Sequence, residues 1–272
     1  MNILPGSGSA NSVKAVGSGA QQFGLAGGDS LAAGVQKGVP VMSLAAIYET
    51  IPDCLFSLEN VKLSSPSDLI GKKVGVKFGS STQAFYDAMI RKFHLAPGSV
   101  KEVAVGNGVD PLLTSAVDVL NGHADNEVIQ VQSLGYRVNV LRYDSLGLSA
   151  YGMVLLTNRR LADSDPDLVK SFVQAVLQAW VLAYEDPEEA ARATVEANPT
   201  LNYSTVLAQT KASLDFVVND ASKSKGLGWQ DAEGWEKTLK TLQDAGVING
   251  DIPVATLFTN AFVVARPSID KP

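Results

Sequence analysis

Cysteine is nearly absent: Cys54 is the single thiol in 272 residues. One thiol excludes an intrachain disulfide framework and any zinc site built on cysteines. Histidine is almost as scarce, with His94 and His123 alone, and the two have no metal-ligand spacing. Basic charge is also in deficit. Twenty-two Lys and Arg stand against 28 Asp and Glu, a formal net charge of −6, and that balance excludes nucleic acid as a partner, because phosphate backbones attract the opposite sign. No run approaches the ~18 apolar residues of a membrane span. Residues 1–20 carry neither the basic nor the apolar region of an export signal.

What the chain does have is glycine, 24 residues of it, and 46% hydrophobic side chains. The length supports a sizeable core, and the glycines punctuate an alternation of strand-like and helix-like segments. Residues Asn2–Leu4 read as a strand, Ala10–Ser18 as a helix, Phe23–Ala26 as a strand, Ser30–Lys37 as a helix and Val39–Ile47 as an apolar strand. That βαβαβ order predicts a parallel sheet. The pattern restarts after a polar connector, Asn60–Pro66. Strands are expected at Lys73–Lys77, Val100–Val105, Arg137–Leu141 and Tyr151–Leu156, with helices through Phe93, around Pro111–Leu120 and over Asn126–Leu134. From Asp163 onward the chain reads as helical. Two α/β units and a helical last third give an α/β protein of two lobes, with residues 1–61 in lobe one, 62–152 in lobe two and 153–272 returning to lobe one.

Two positions carry polar groups where α/β sheets offer them to ligands, at strand ends that open helices, and a third follows the loop Asn121–Asp125. Gly28, Asp29 and Ser30 follow the strand ending at Ala26. Gly79, Ser80, Ser81 and Thr82 follow the strand ending at Lys77, in a turn that suits a polar ligand group or a bare helix cap. Neither glycine-rich turn is a P-loop, which requires a closing Gly-Lys-Ser/Thr. Asn126 and Glu127 start a helix, where the carboxylate can accept N–H donors from an amino-substituted heterocycle and the amide can donate and accept beside it. A first-turn Glu is also favoured by the helix dipole alone. Aromatic faces for a flat ligand are offered by Tyr48 and Tyr151, while Phe78, Tyr86 and the three tryptophans read as core. Gly28-Asp29-Ser30-Leu31-Ala32 lacks the closing glycine of a nucleophile elbow, and no nucleophile–base pair is apparent, so no catalytic residue is assigned.

The segments Ile3–Val13, Phe23–Ser30, Lys37–Val41, Asp68–Val76, Asn126-Glu127, Glu185–Ala190 and Phe258–Asn260 occur in an order and spacing that resemble the NMT1/THI5-like solute-binding proteins. The resemblance implies a two-lobe type II periplasmic binding protein fold with a ligand cleft between lobes. It implies a non-enzymatic component of an ABC importer that closes by a hinge around a small polar, heteroaromatic solute such as a thiamine pyrimidine precursor. The alternatives are a truncated or degenerate family member without a transport role, a binder of sulfonates or nitrogenous solutes and, last, a pyrimidine-synthesising or hydrolytic enzyme on the same scaffold. It further implies a membrane permease as partner, a periplasmic or membrane-anchored extracellular location, and no cofactor. A fungal branch makes a pyrimidine with its own histidine, iron and a cysteine-rich motif, which a chain with one cysteine does not match. Family members usually have a strand and helix before the position of Ile3, so an open lobe-one sheet edge, and self-association through it, are expected.

Overall fold

The computed structural model describes residues 2–78, 80–218 and 220–263. In chain order the elements are α1 (Ser9–Gly17), β1 (Phe23–Ala26), α2 (Gly28–Gln36), β2 (Val41–Tyr48) and β3 (Asp53–Leu58). Then come β4 (Lys73–Val76), α3 (Ser81–Lys92), β5 (Lys101–Ala104), α4 (Asp110–Leu113), β6 (Val119–His123), α5 (Glu127–Ser133) and β7 (Val138–Arg142). The remainder is β8 (Met153–Asn158), α6 (Arg159–Ser164), α7 (Pro166–Glu185), α8 (Pro187–Ala197), α9 (Tyr203–Val217), α10 (Asp220–Lys225) and α11 (Ala232–Asp244). Tight packing separates two compact units: Met1–Ile51 with Ser149–Tyr184 and Phe216–Pro272, and Pro52–Leu148 with Glu185–Asp215.

The first unit holds a three-stranded sheet in the order β1-β8-β2. The expected parallel sheet is corrected here. β1 and β2 run the same way, but β8 lies between them antiparallel to both. β2 is an almost continuous apolar run because both of its faces are covered, which matches its buried pattern. The core joins Leu31, Val41, Val154, Leu156, Trp235 and Leu239, so α2 and the C-terminal α11 close over one sheet. Helix α11 starts on Asp231, whose side chain accepts the Gly234 N–H at 2.8 Å and satisfies one orphan donor of the first turn. Residues Asn2–Leu4 form no strand. Ile3 is 77% and Leu4 55% exposed, so their side chains have no sheet face to cover. β1 is consequently an outer strand, with no described strand on its other side.

The second unit holds a five-stranded sheet in the order β5-β4-β6-β3-β7. β5, β4 and β6 are parallel, and β3 is antiparallel to both of its neighbours. Two expectations change. The helix expected over Pro111–Leu120 stops after one turn, and Val119–His123, expected as helix end and loop, is the central strand β6. Leu120 is buried in one cluster with Cys54, Phe56 and Val128 and Val119 is fully buried too, and that sheet packing overrides helical spacing. Asp53–Leu58 belongs to this sheet rather than to lobe one, which moves the boundary from residue 61 to Ile51. Glu185–Asp215, expected to return with the helical third, packs in this unit instead, where Lys211 pairs with Glu188 at 2.7 Å and Gln209 and Ser213 of α9 reach the loop before α5.

Candidate functional site

In the first unit the expected residues gather around the end of β1, and most are committed to the fold. Gly28 opens α2 with its N–H donating to the Tyr151 carbonyl at 3.1 Å. A Cβ on Gly28 would stand 2.8 Å from that carbonyl oxygen, so only glycine lets the helix start approach so closely. Asp29 is buried, and Ser30 donates to its Oδ2 at 3.2 Å. No side chain caps α2; its cap residue is Gly27. Tyr151, expected to offer an aromatic face to a flat ligand, is enclosed: it is 4% exposed and packs on Trp235. Its hydroxyl accepts the Asp231 N–H at 3.0 Å, and burial holds its pKa far above the ordinary value. Tyr48 is likewise buried, stacked on Phe216 at 5.6 Å and edge-on to Trp180 at 6.1 Å. Both tyrosines therefore serve packing.

In the second unit the strand directions decide the site. β4 and β6 run parallel while β3 runs the other way, so the end of β4, the end of β6 and the start of β3 share one edge of the sheet. Gly79 lies outside the described residues. Ser80 caps α3 by accepting the Gln83 N–H at 3.4 Å, donates to the Lys77 carbonyl at 2.6 Å and lies 2.8 Å from the Thr82 hydroxyl. Thr82 is buried, and its carbonyl accepts from Asn121 of β6, whose own amide oxygen accepts from the Tyr143 hydroxyl. That chain of bonds ties the start of α3 to the central strand. Ser81 is the first residue of α3 and is half-buried. Phe78, read from sequence as core, is 53% exposed at the tip of this turn, whereas Tyr86 is fully buried as expected.

Glu127 opens α5 and reaches back. Its Oε2 accepts the backbone N–H of His123 at 3.0 Å, and among the described residues no donor meets Oε1. Asn126 lends its side-chain oxygen to Gln130 at 2.8 Å and to Gln209 at 2.7 Å. Three residues join these that sequence reasoning left out. The imidazole of His123 stands between Asp53 of β3, 3.7 Å from Nε2, and Glu127, 3.9 Å from Nδ1. Asp125 is buried and accepts from Ser213 at 3.2 Å. Burial opposes charge on His123, but the carboxylates of Asp53, Glu127 and Asp125 outweigh it against Lys77, and the imidazole pKa is raised. His123, to which the sequence assigns no role, ends β6. The available signal was the density of acids in Asp125–Glu127 and the Asp53 that antiparallel pairing brings opposite His123.

The arrangement is a carboxylate-rich strand edge with one half-exposed imidazole of raised pKa and one open acceptor, suited to N–H donors. Among the described residues, no group of three or more His, Cys, Asp or Glu side chains is placed to hold a metal ion.

The family model described as NMT1/THI5 like matches residues 1–190. The chain belongs to this family. Its relatives include the riboflavin-binding protein RibY of Chloroflexus aurantiacus, 29% identical over 248 residues, spanning 89% of this chain and 70% of RibY. A 4-amino-5-hydroxymethyl-2-methylpyrimidine phosphate synthase of Legionella pneumophila is 23% identical over 262 residues, spanning 94% of this chain and 79% of the synthase. Among solved structures, the alkanesulfonate-binding protein SsuA of Xanthomonas axonopodis pv. citri, bound to MOPS, superposes with a TM-score of 0.70 at 15% identity, covering 93% of this chain and 85% of SsuA. That likeness establishes the periplasmic binding protein fold for this member of the family. No helix among the described residues is long and apolar enough to cross a membrane.

Proposed function

We propose that this protein is the solute-binding component of an ABC importer and that it holds a small, flat heteroaromatic solute without turning it over. The observation that carries the reading is the Glu127 carboxylate at the edge of the second sheet, with Oε2 anchored to its own loop and Oε1 left for a donor. The amino and imide N–H groups of pyrimidines and flavins are donors of that kind. Gln130 and Asn126 add amide groups beside it, and exposed Phe78 offers a ring face on the same edge. Asp53 and Asp125 make the edge negative, which works against a sulfonate. The first turn of α3, a twelve-residue helix capped by Ser80, and Lys77 at the end of β4 favour an anion, and a sulfonate is the second reading for that reason.

In this reading Gly28, Asp29, Ser30, Tyr48 and Tyr151 shape the first unit, while Ser80, Ser81, Thr82, Asn126 and Glu127 supply the recognition edge. The protein works outside the cytoplasmic membrane, periplasmic or anchored there, and hands its solute to a membrane permease. The open side of β1 adds self-association through the first unit to the proposal. No cofactor and no nucleic acid enter it. The test is a thermal-shift panel of riboflavin, a 4-aminopyrimidine and an alkanesulfonate. At a concentration ~100 times Kd, the true class stabilises the fold by about 2.7 kcal/mol. A shift with the sulfonate alone selects the second reading, and chemical change of a bound compound rejects both.

A further inference from the structure

The proposed solute site turns on Glu127, and the cation nearest to Glu127 is His123. The two ring nitrogens of His123 face two different elements, Nε2 toward Asp53 at the start of β3 and Nδ1 toward Glu127 at the start of α5. The same residue donates its backbone N–H to Glu127 Oε2 at 3.0 Å, so backbone and side chain address one carboxylate oxygen. The groups facing the imidazole come from every neighbouring element. β3 supplies Asp53, the turn after β6 supplies Asp125, α5 supplies Glu127, and the end of β4 supplies Lys77. Three carboxylates against one ammonium leave an excess of negative charge around the ring. The side chain is still 34% exposed, which gives its proton a path to water.

We propose that His123 is a proton-carrying positioning residue and that a solute bringing N–H donors or positive charge to Glu127 exchanges for its proton. The proposal rests on the solute-binding reading above. In the free protein the imidazolium neutralises part of the carboxylate cluster. When a donor-rich or cationic group approaches Glu127 Oε1, two positive groups share the same carboxylates, and each weakens the other's hold. Coupling of this kind is reciprocal: a solute that loosens the proton is itself bound more tightly once the proton is gone. The proton leaves a ring nitrogen for water or buffer, the imidazole becomes neutral, and no bond in the solute changes. An anionic solute has the opposite linkage and takes up a proton. The sign of proton exchange therefore reports the charge class of the solute.

Titration calorimetry of the full chain in two buffers of different ionisation enthalpy reads this directly. The probes are riboflavin, a neutral ring with an imide N–H; thiamine, a permanent cation bearing an aminopyrimidine; and ethanesulfonate. Riboflavin or thiamine is expected to bind with release of a fraction of a proton below the His123 pKa, and its affinity to rise with pH by at most about tenfold per unit. In His123→Gln, which keeps the backbone N–H to Glu127, release disappears and affinity becomes flat with pH. Imidazole NMR of the unliganded chain, with His123 assigned by comparison with His94→Gln, is expected to show a raised midpoint that Asp53→Asn and Glu127→Gln each lower. A midpoint at or below that of an ordinary histidine overturns the proposal. Binding of a donor-rich probe with no proton release, or with release that persists in His123→Gln, overturns it while leaving the solute-binding reading intact. Failure of all three probes to bind removes that reading, and the exchange with it.

Discussion

In the proposed function recognition depends on Glu127, and its two oxygens have separable roles. Oε2 holds the loop through the His123 N–H, a bond that a glutamine oxygen also accepts. Glu127→Gln therefore leaves the melting temperature nearly unchanged while weakening a donor-bearing solute by roughly 1.5–3 kcal/mol, the difference between a charge-assisted and a neutral or lost bond. Calorimetric affinity beside a thermal melt checks it; equal loss in both would make Glu127 a loop clamp only. Tyr151 has the reverse signature. Its hydroxyl accepts the Asp231 N–H inside the first unit, so Tyr151→Phe should cost about 1–3 kcal/mol of stability. Its effect on solute affinity should be small, and an affinity loss without destabilisation would return Tyr151 to the binding residues.

Elements show where local pattern was enough and where it was not. α11 follows Asp231 ahead of an amphipathic run, and that side chain caps it by accepting the Gly234 N–H. Asp231→Ala removes the cap and should lower stability by about 1 kcal/mol in denaturant unfolding; no change would mean that water replaces it. β6 was illegible for a physical reason. Val117, Val119 and Leu120 fit a helix face as well as a strand, and the choice is made by pairing with β3 and β4, which no local window contains. The same long-range pairing hid part of the site. Asn126 and Glu127 could be read from the start of α5, but Asp53 lies seventy residues before His123 and meets it only through antiparallel register. Tyr151 differs in the opposite sense, because an aromatic ring reads as available to a ligand until its packing on Trp235 and its bond to the Asp231 N–H are seen.

At the scale of the molecule, α/β class and alternation of elements were readable from glycine punctuation, while strand direction was not. β8 returns antiparallel between β1 and β2, an insertion that comes from a segment more than a hundred residues downstream. β1 is an outer strand of its sheet and Leu25 on it is 46% exposed. Such an edge invites pairing. Sedimentation velocity across a concentration series is expected to show association that Leu25→Lys diminishes, and a single monomeric species at every concentration would refute the edge contact.

The central claim is that this family member retains an intact, donor-bearing heteroaromatic solute at a carboxylate edge. Equilibrium dialysis against a mixture of riboflavin, a 4-aminopyrimidine and an alkanesulfonate, followed by mass analysis of what the protein retains, tests it most directly. The account predicts one heteroaromatic molecule per chain, recovered with its mass unchanged and lost in Glu127→Gln. Retention of the sulfonate alone, or recovery of a solute with altered mass, would contradict it.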